Sequence, residues 1–224
     1  MPAKERPIKC PSSDGKPMPD SLDQEMAMTY SGGALRSRFG ESGNIFVAVD
    51  LIVYYVEQNP KKRVAPDVMA VRDVRSKRRG SYRVREEGKA PDFVLEVLSN
   101  STHLADQVAK RKTYAGMGVR EYFLYDPLGR TIGRGSEGRR LKGERLEGGA
   151  YREIPEATDG SVRSEVLGLD LRVKRREREP EWRELRFRHP ETGEDLPSHE
   201  EEHAMRIEAE RRIAELEAKL ARCG

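Results

Sequence analysis

Two apolar runs, PDFVLEVLS from Pro91 and EYFLYDP from Glu121, bracket a segment of helical pattern, HLADQVAKRKTYAGM, and this order constrains the fold more than any other feature. Strand, helix and strand in succession favour a right-handed crossover between parallel neighbours. Asn100, Ser101 and Thr102 supply helix N-caps, Gly116 and Gly118 supply stops, and Asp126-Pro127 closes the second strand. Upstream, NIFVAVDLIVYYV is rich in β-branched and aromatic residues and predicts one long strand interrupted only by Asp50. VAPDVMAVRDV predicts another, with Pro66 suited to an entry or bulge and Asp67 near its beginning. The core is therefore expected to be mixed α/β, with a short helix within residues 20–39 and short strands up to about residue 173 completing or extending the sheet.

The acids in these runs carry the chemistry. Glu96 is flanked by Val94, Leu95, Val97 and Leu98, and a carboxylate in such a setting needs a partner or a ligand. Asp67 comes from a neighbouring strand and can approach Glu96, and two buried like charges are costly unless a cation or proton lies between them. Asp67 and Glu96 are thus the preferred metal pair. Asp92 shares a strand face with Glu96, but four residues of strand place it about 13 Å away. Asp50 is either a third acid or a hydrogen-bonding core residue. On the helix, Asp106, Lys110 and Tyr114 recur on one face, while Leu104, Val108 and Ala115 form an apolar stripe nearer Lys112. Spacing alone does not choose between Lys110 and Lys112 as the cation that joins the acids.

Composition removes several alternatives. The two cysteines, Cys10 and Cys223, form no CxxC pair and argue against structural zinc. No GxSxG occurs, and none of the four histidines lies in the acidic strands. GRGSEG at 133–138 satisfies GxGxxG but has no helix pattern after it, so no dinucleotide site is expected. With 42 basic against 39 acidic residues, net charge does not mark a polyanion binder, and local clusters at 61–63, 72–79, 139–142 and 172–178 must be judged by what they touch. No signal-peptide core or bilayer-length apolar run is evident, so a soluble cytoplasmic protein with no membrane association is expected.

Four segments follow. Residues 1–20 read as a flexible arm, 21–173 as the α/β domain, 174–199 as a charged linker holding a hairpin at RELRFRHPETGEDL, and 200–224 as a helix. In that helix Ala209, Ile213, Leu216 and Leu220 are spaced by four, three and four, a coiled-coil-like seam that suits a homo-oligomer.

Taken together, VAPDVMAV, PDFVLEVLS and DQVAKRKTYAGMGVREYFLYDP resemble the Uma-two-type family of restriction endonucleases within the PD-(D/E)XK nuclease superfamily. The resemblance covers roughly residues 45–127, and the charged terminal helix is similar to tails in that family. It implies a restriction-endonuclease-like mixed sheet flanked by helices, and hydrolysis of DNA phosphodiesters with Mg²⁺ or Mn²⁺. Pro66-Asp67 falls on the PD motif and Glu96 on the second acid, whereas Leu98 stands where the motif lysine is expected. The resemblance then selects Lys110 as the lysine supplied from the adjoining helix. The family's N-terminal glutamate has no clear match, since Glu25 and Glu41 sit in sequence that aligns poorly. These departures favour an alternative, a catalytically degenerate relative that binds DNA or a protein partner. A third reading is a purely structural α/β protein whose acids form ion pairs.

Overall fold

A computed structural model describes residues 21–40, 43–57, 59–99, 104–129, 132, 139–176 and 182–223. The N-terminal arm, the caps at 100–102, Glu41 and the GRGSEG stretch lie outside the described residues. The chain runs α1 (Leu22–Gly40), β1 (Ile45–Val49), β2 (Val53–Tyr54), β3 (Arg63–Val64), β4 (Val68–Arg72), β5 (Tyr82–Arg83), α2 (Val84–Glu87), β6 (Phe93–Val97), α3 (Leu104–Met117) and β7 (Glu121–Tyr125). It continues through β8 (Leu141–Glu147), β9 (Ala150–Glu153), β10 (Val162–Ser164), β11 (Leu169–Arg175), β12 (Arg183–Arg188) and α4 (His199–Cys223). The expected α/β class is observed.

The central sheet has the order β1-β4-β6-β7-β8-β9. Only β6 and β7 pair in parallel, as the intervening α3 requires; the other neighbours are antiparallel. Strand alternation divides its side chains between two cores. Phe93, Leu95 and Val97 of β6 join Val68, Ala70, Phe123 and Tyr125 on the face covered by α1 and by the small β10-β11-β12 sheet. Val94 and Leu98 join Met69, Val71, Tyr122 and Leu124 on the other face, with Tyr114 of α3 among them. Residues of opposite parity therefore meet different helices, and that division decides what each acid touches.

The long strand expected at 44–56 is broken. Asp50 takes φ +48°, and β2 leaves to pair with β3 and β5 in a separate three-stranded sheet. Strand propensity is continuous across this point, but a left-handed residue ends a ladder whatever follows. The Asp50 N–H donates to the Asp67 carbonyl at 3.1 Å, so the break is pinned beside the start of β4.

Helix α1 is longer than the short helix expected. Ser21 caps it, accepting from the Gln24 N–H at 3.2 Å, and Ala27, Met28, Leu35 and Phe39 bury its inner face. Gly32 allows the helix to lie close on β1, because a Cβ there would fall 2.4 Å from Val49 Cγ2. The stretch read as a charged linker instead contributes β12 to the core through Leu185 and Phe187, and Tyr30 of α1 stacks on Phe187 with ring centres 5.9 Å apart. The hairpin expected there is a tight loop closed by the Leu196 N–H donating to the Phe187 carbonyl at 2.7 Å.

Candidate functional site

Antiparallel pairing of β4 with β6 sets Val68 opposite Leu95. One further step in that register sets Asp67 opposite Glu96, and strand parity turns both toward α3. Directly opposed residues have Cβ atoms about 5 Å apart, so the carboxylates are neighbours without help from any loop. The Val97 N–H donates to Asp67 Oδ2 at 2.6 Å, which fixes the aspartate at the point where the ladder ends.

Helix α3 supplies the counter-groups. Lys110 Nζ lies 2.7 Å from Glu96 Oε2, and the Tyr114 hydroxyl donates to Glu96 Oε1 at 2.5 Å. Glu96 is 5% exposed and Tyr114 fully buried, so both oxygens of the glutamate are matched inside the protein. Lys112 is exposed. The helix also turns differently from the expected apolar stripe: Val108 is 48% exposed, while the Lys110 and Tyr114 face packs inward. A stripe of small and branched residues was the weaker guide because Tyr114 buries far more surface than Ala115 or Val108.

The electrostatics follow from two acids sharing one cation. Burial, reinforced by Glu96, pushes the Asp67 carboxyl up to about 7, against the lowering influence of Lys110, the Val97 N–H and Gln24. Burial also raises Glu96, with Lys110 and Tyr114 opposing. For Lys110, burial alone would depress the ammonium, yet Glu96, Asp67 and Asp106 together hold it above the ordinary lysine value. One positive charge thus serves a site that would hold two negative ones, which is an environment suited to a further cation.

Gln24 is the residue that sequence reasoning missed. From the first turn of α1 its Nε2 donates to the Val97 carbonyl at 3.2 Å, and its side chain also bonds Asp67. The pattern Ser21-x-x-Gln24 is that of a capping box and could have placed Gln24 in a first helical turn, but a search for a glutamate passes over an amide. Glu25, next to it, is exposed.

The remaining candidates have different surroundings. Asp50 is exposed rather than part of the core. Asp92 accepts from the Arg72 N–H at 2.8 Å and pairs with Lys89 at 3.0 Å, a structural arrangement. Leu98 is 4% exposed and packs in the same core as Tyr114, so no cation stands at that strand position. Among the described residues no group of three or more His, Cys, Asp or Glu side chains is placed to hold a metal ion. The oxygens that the β4–β6 register brings together are those of two carboxylates, Asp67 and Glu96, hard donors of the kind that Mg²⁺ accepts with water completing its shell. Much of the basic clustering is consumed internally: Arg79 pairs with Glu87 at 2.7 Å, Arg139 with Glu156 at 2.5 Å and Arg172 with Asp195 at 2.7 Å. Among the described residues no helix is long and apolar enough to cross a membrane.

A family model named Uma2, described as "Putative restriction endonuclease", matches residues 32–190. No curated protein matches the chain. A crystal structure from Anabaena variabilis, described as "a putative nuclease belonging to DUF820", superposes with a TM-score of 0.50 at 14% identity, covering 68% of this chain and 76% of that one. At that identity the likeness establishes a shared fold.

Proposed function

The chain belongs to the Uma2 family of restriction-endonuclease type, and from that premise we propose that it is a divalent-metal-dependent endodeoxyribonuclease. Asp67 and Glu96 hold the metal, Mg²⁺ or Mn²⁺, and Lys110 stands beside the attacking water. The observation that carries this reading is the cross-strand register that opposes Asp67 to Glu96, with Lys110 Nζ 2.7 Å from the latter. Burying two carboxylates beside a single ammonium costs several kcal/mol unless a ligand recovers it.

The protein's own groups have distinct tasks. The Val97 N–H orients Asp67, while Gln24 ties the Val97 carbonyl and Asp67 to α1. Tyr114 fixes one oxygen of Glu96, leaving the other to exchange Lys110 for a cation. Lys110, released from that pairing, can stabilise negative charge on the phosphate or take part in deprotonating water. A bound divalent cation supplies Lewis acidity and charge neutralisation for such a reaction.

A second reading rests on Leu98. With leucine buried at the strand position of the motif lysine, the same fold can serve a DNA- or protein-binding relative that does not cut. Cleavage of plasmid and single-stranded DNA with Mg²⁺ or Mn²⁺ separates the two. The nuclease reading expects nicking or linearisation by the native chain that disappears with chelator and in Glu96→Gln. A native chain that binds DNA but cuts neither substrate overturns it in favour of the second reading.

A further inference from the structure

Among the described residues, helix α4 is anchored at its start alone. Ser198 and Glu201 cap each other, the Ser198 N–H donating to Glu201 Oε2 at 2.7 Å and the Glu201 N–H to Ser198 Oγ at 3.2 Å. Arg186 grips Glu201 through two bonds of 2.8 and 3.0 Å, and Ser37 of α1 donates to Glu202 at 2.6 Å. Beyond that, every residue from His203 to Ala221 is exposed. Ile213, Leu216 and Leu220 are 55%, 48% and 74% exposed, so the seam finds no cover on its own domain.

We propose that α4 pairs with α4 of a second copy of this chain as a parallel, in-register, two-stranded coiled coil. The flanking charges select both the occupant and the orientation. With Ile213 and Leu220 at the first apolar position of each heptad and Ala209 and Leu216 at the second, Arg212 and Lys219 line one flank of the seam and Glu210 and Glu217 the other. In a parallel pair Arg212 of each copy lies against Glu217 of the other. An antiparallel pair in the same register would instead face Arg212 with Lys219 and Glu210 with Glu217, all repulsive. Within the heptad that holds both, Ile213 at the first position with Leu216 at the second is the pairing that favours two strands over three. Continuing the register puts Cys223 at the next seam position, where a parallel pair alone brings the two cysteines opposite each other.

The test uses the full chain carrying Cys10→Ser, which leaves Cys223 as its single thiol. Sedimentation equilibrium is expected to show a dimer, and mild oxidation a covalent dimer through Cys223. Leu216→Glu, on an exposed surface, should abolish both without lowering the melting temperature of the domain. Arg212→Glu should weaken dimerisation about tenfold, and combining it with Glu217→Arg should restore it, since attraction replaces repulsion at both symmetric contacts. A monomer at all concentrations up to about 100 μM overturns the proposal, that being weaker than two paired seams should give. So does a dimer insensitive to Leu216→Glu, or one in which Cys223 links to a cysteine placed by Arg206→Cys rather than to its own counterpart.

Discussion

The Tyr114 hydroxyl donates to Glu96 Oε1 at 2.5 Å across eighteen residues of chain, with both side chains buried. A helix residue thereby fixes the orientation of a strand acid that the flanking apolar sequence would otherwise leave unpaired. Replacing it by phenylalanine keeps the packing and deletes the donor. Because one oxygen of Glu96 is then unsatisfied, Tyr114→Phe should cost about 1–3 kcal/mol. For a chain of this size that lowers the melting temperature by roughly 2–12 °C, measured by calorimetry. An unchanged melting temperature would mean that the hydroxyl contributes nothing to holding the glutamate.

Lys110 and Lys112 provide a matched comparison within one helix. Lys110→Met removes the cation paired with Glu96 and should destabilise the metal-free protein by about 3–5 kcal/mol, as expected for breaking a buried pair. It should also abolish DNA cleavage. Lys112→Met, on the exposed face, should stay within about 0.5 kcal/mol of the native protein and keep its cleavage rate. Equal effects of the two substitutions, in urea denaturation and in nicking assays, would refute the assignment of Lys110.

Asp67 makes stability depend on pH with a defined sign. Its carboxyl lies at about 7 in the folded chain, against about 4 when unfolded. The folded state therefore retains a proton that the unfolded state has already lost between those values, and stability falls as pH rises from 4 to 7. Partial solvent access reduces the full linkage, leaving a loss of about 1–3 kcal/mol from this group. Urea denaturation with chelator at pH 4.5 to 8 should show the decline, and Asp67→Asn should flatten it. Adding Mg²⁺ at neutral pH should release a proton, detected by calorimetry in buffers of different ionisation enthalpy. A steeper decline in Asp67→Asn would reverse the assignment.

Leu98→Lys rebuilds the motif lysine at its strand position. Leu98 is 4% exposed and shares a core with Tyr114 and Val94, so an ammonium there meets an apolar environment. The substitution should cost at least about 3 kcal/mol and fail to raise the cleavage rate. A stable variant that cuts faster would mean that the strand position remains the better place for the cation.

The sequence by itself determined the crossover of β6, α3 and β7 and the mixed sheet. These depend on strand alternation and on the order of short segments, which are local and have a period of two with little room for error. The start of α4 is fixed locally, by Ser198 and Glu201 at capping-box spacing. Only the tertiary structure decided which lysine meets Glu96, because a helix can be rotated about its axis until a sheet selects one face, and the buried bulk of Tyr114 made that selection. It alone decided that the apolar run through Asp50 breaks into two sheets, since propensity is blind to a left-handed backbone that is held by a bond to Asp67. Gln24 and β12 belong to the same class. Each reaches the site or the core through contacts between segments far apart in sequence, and the free energy that places them lies in those contacts rather than in any local preference.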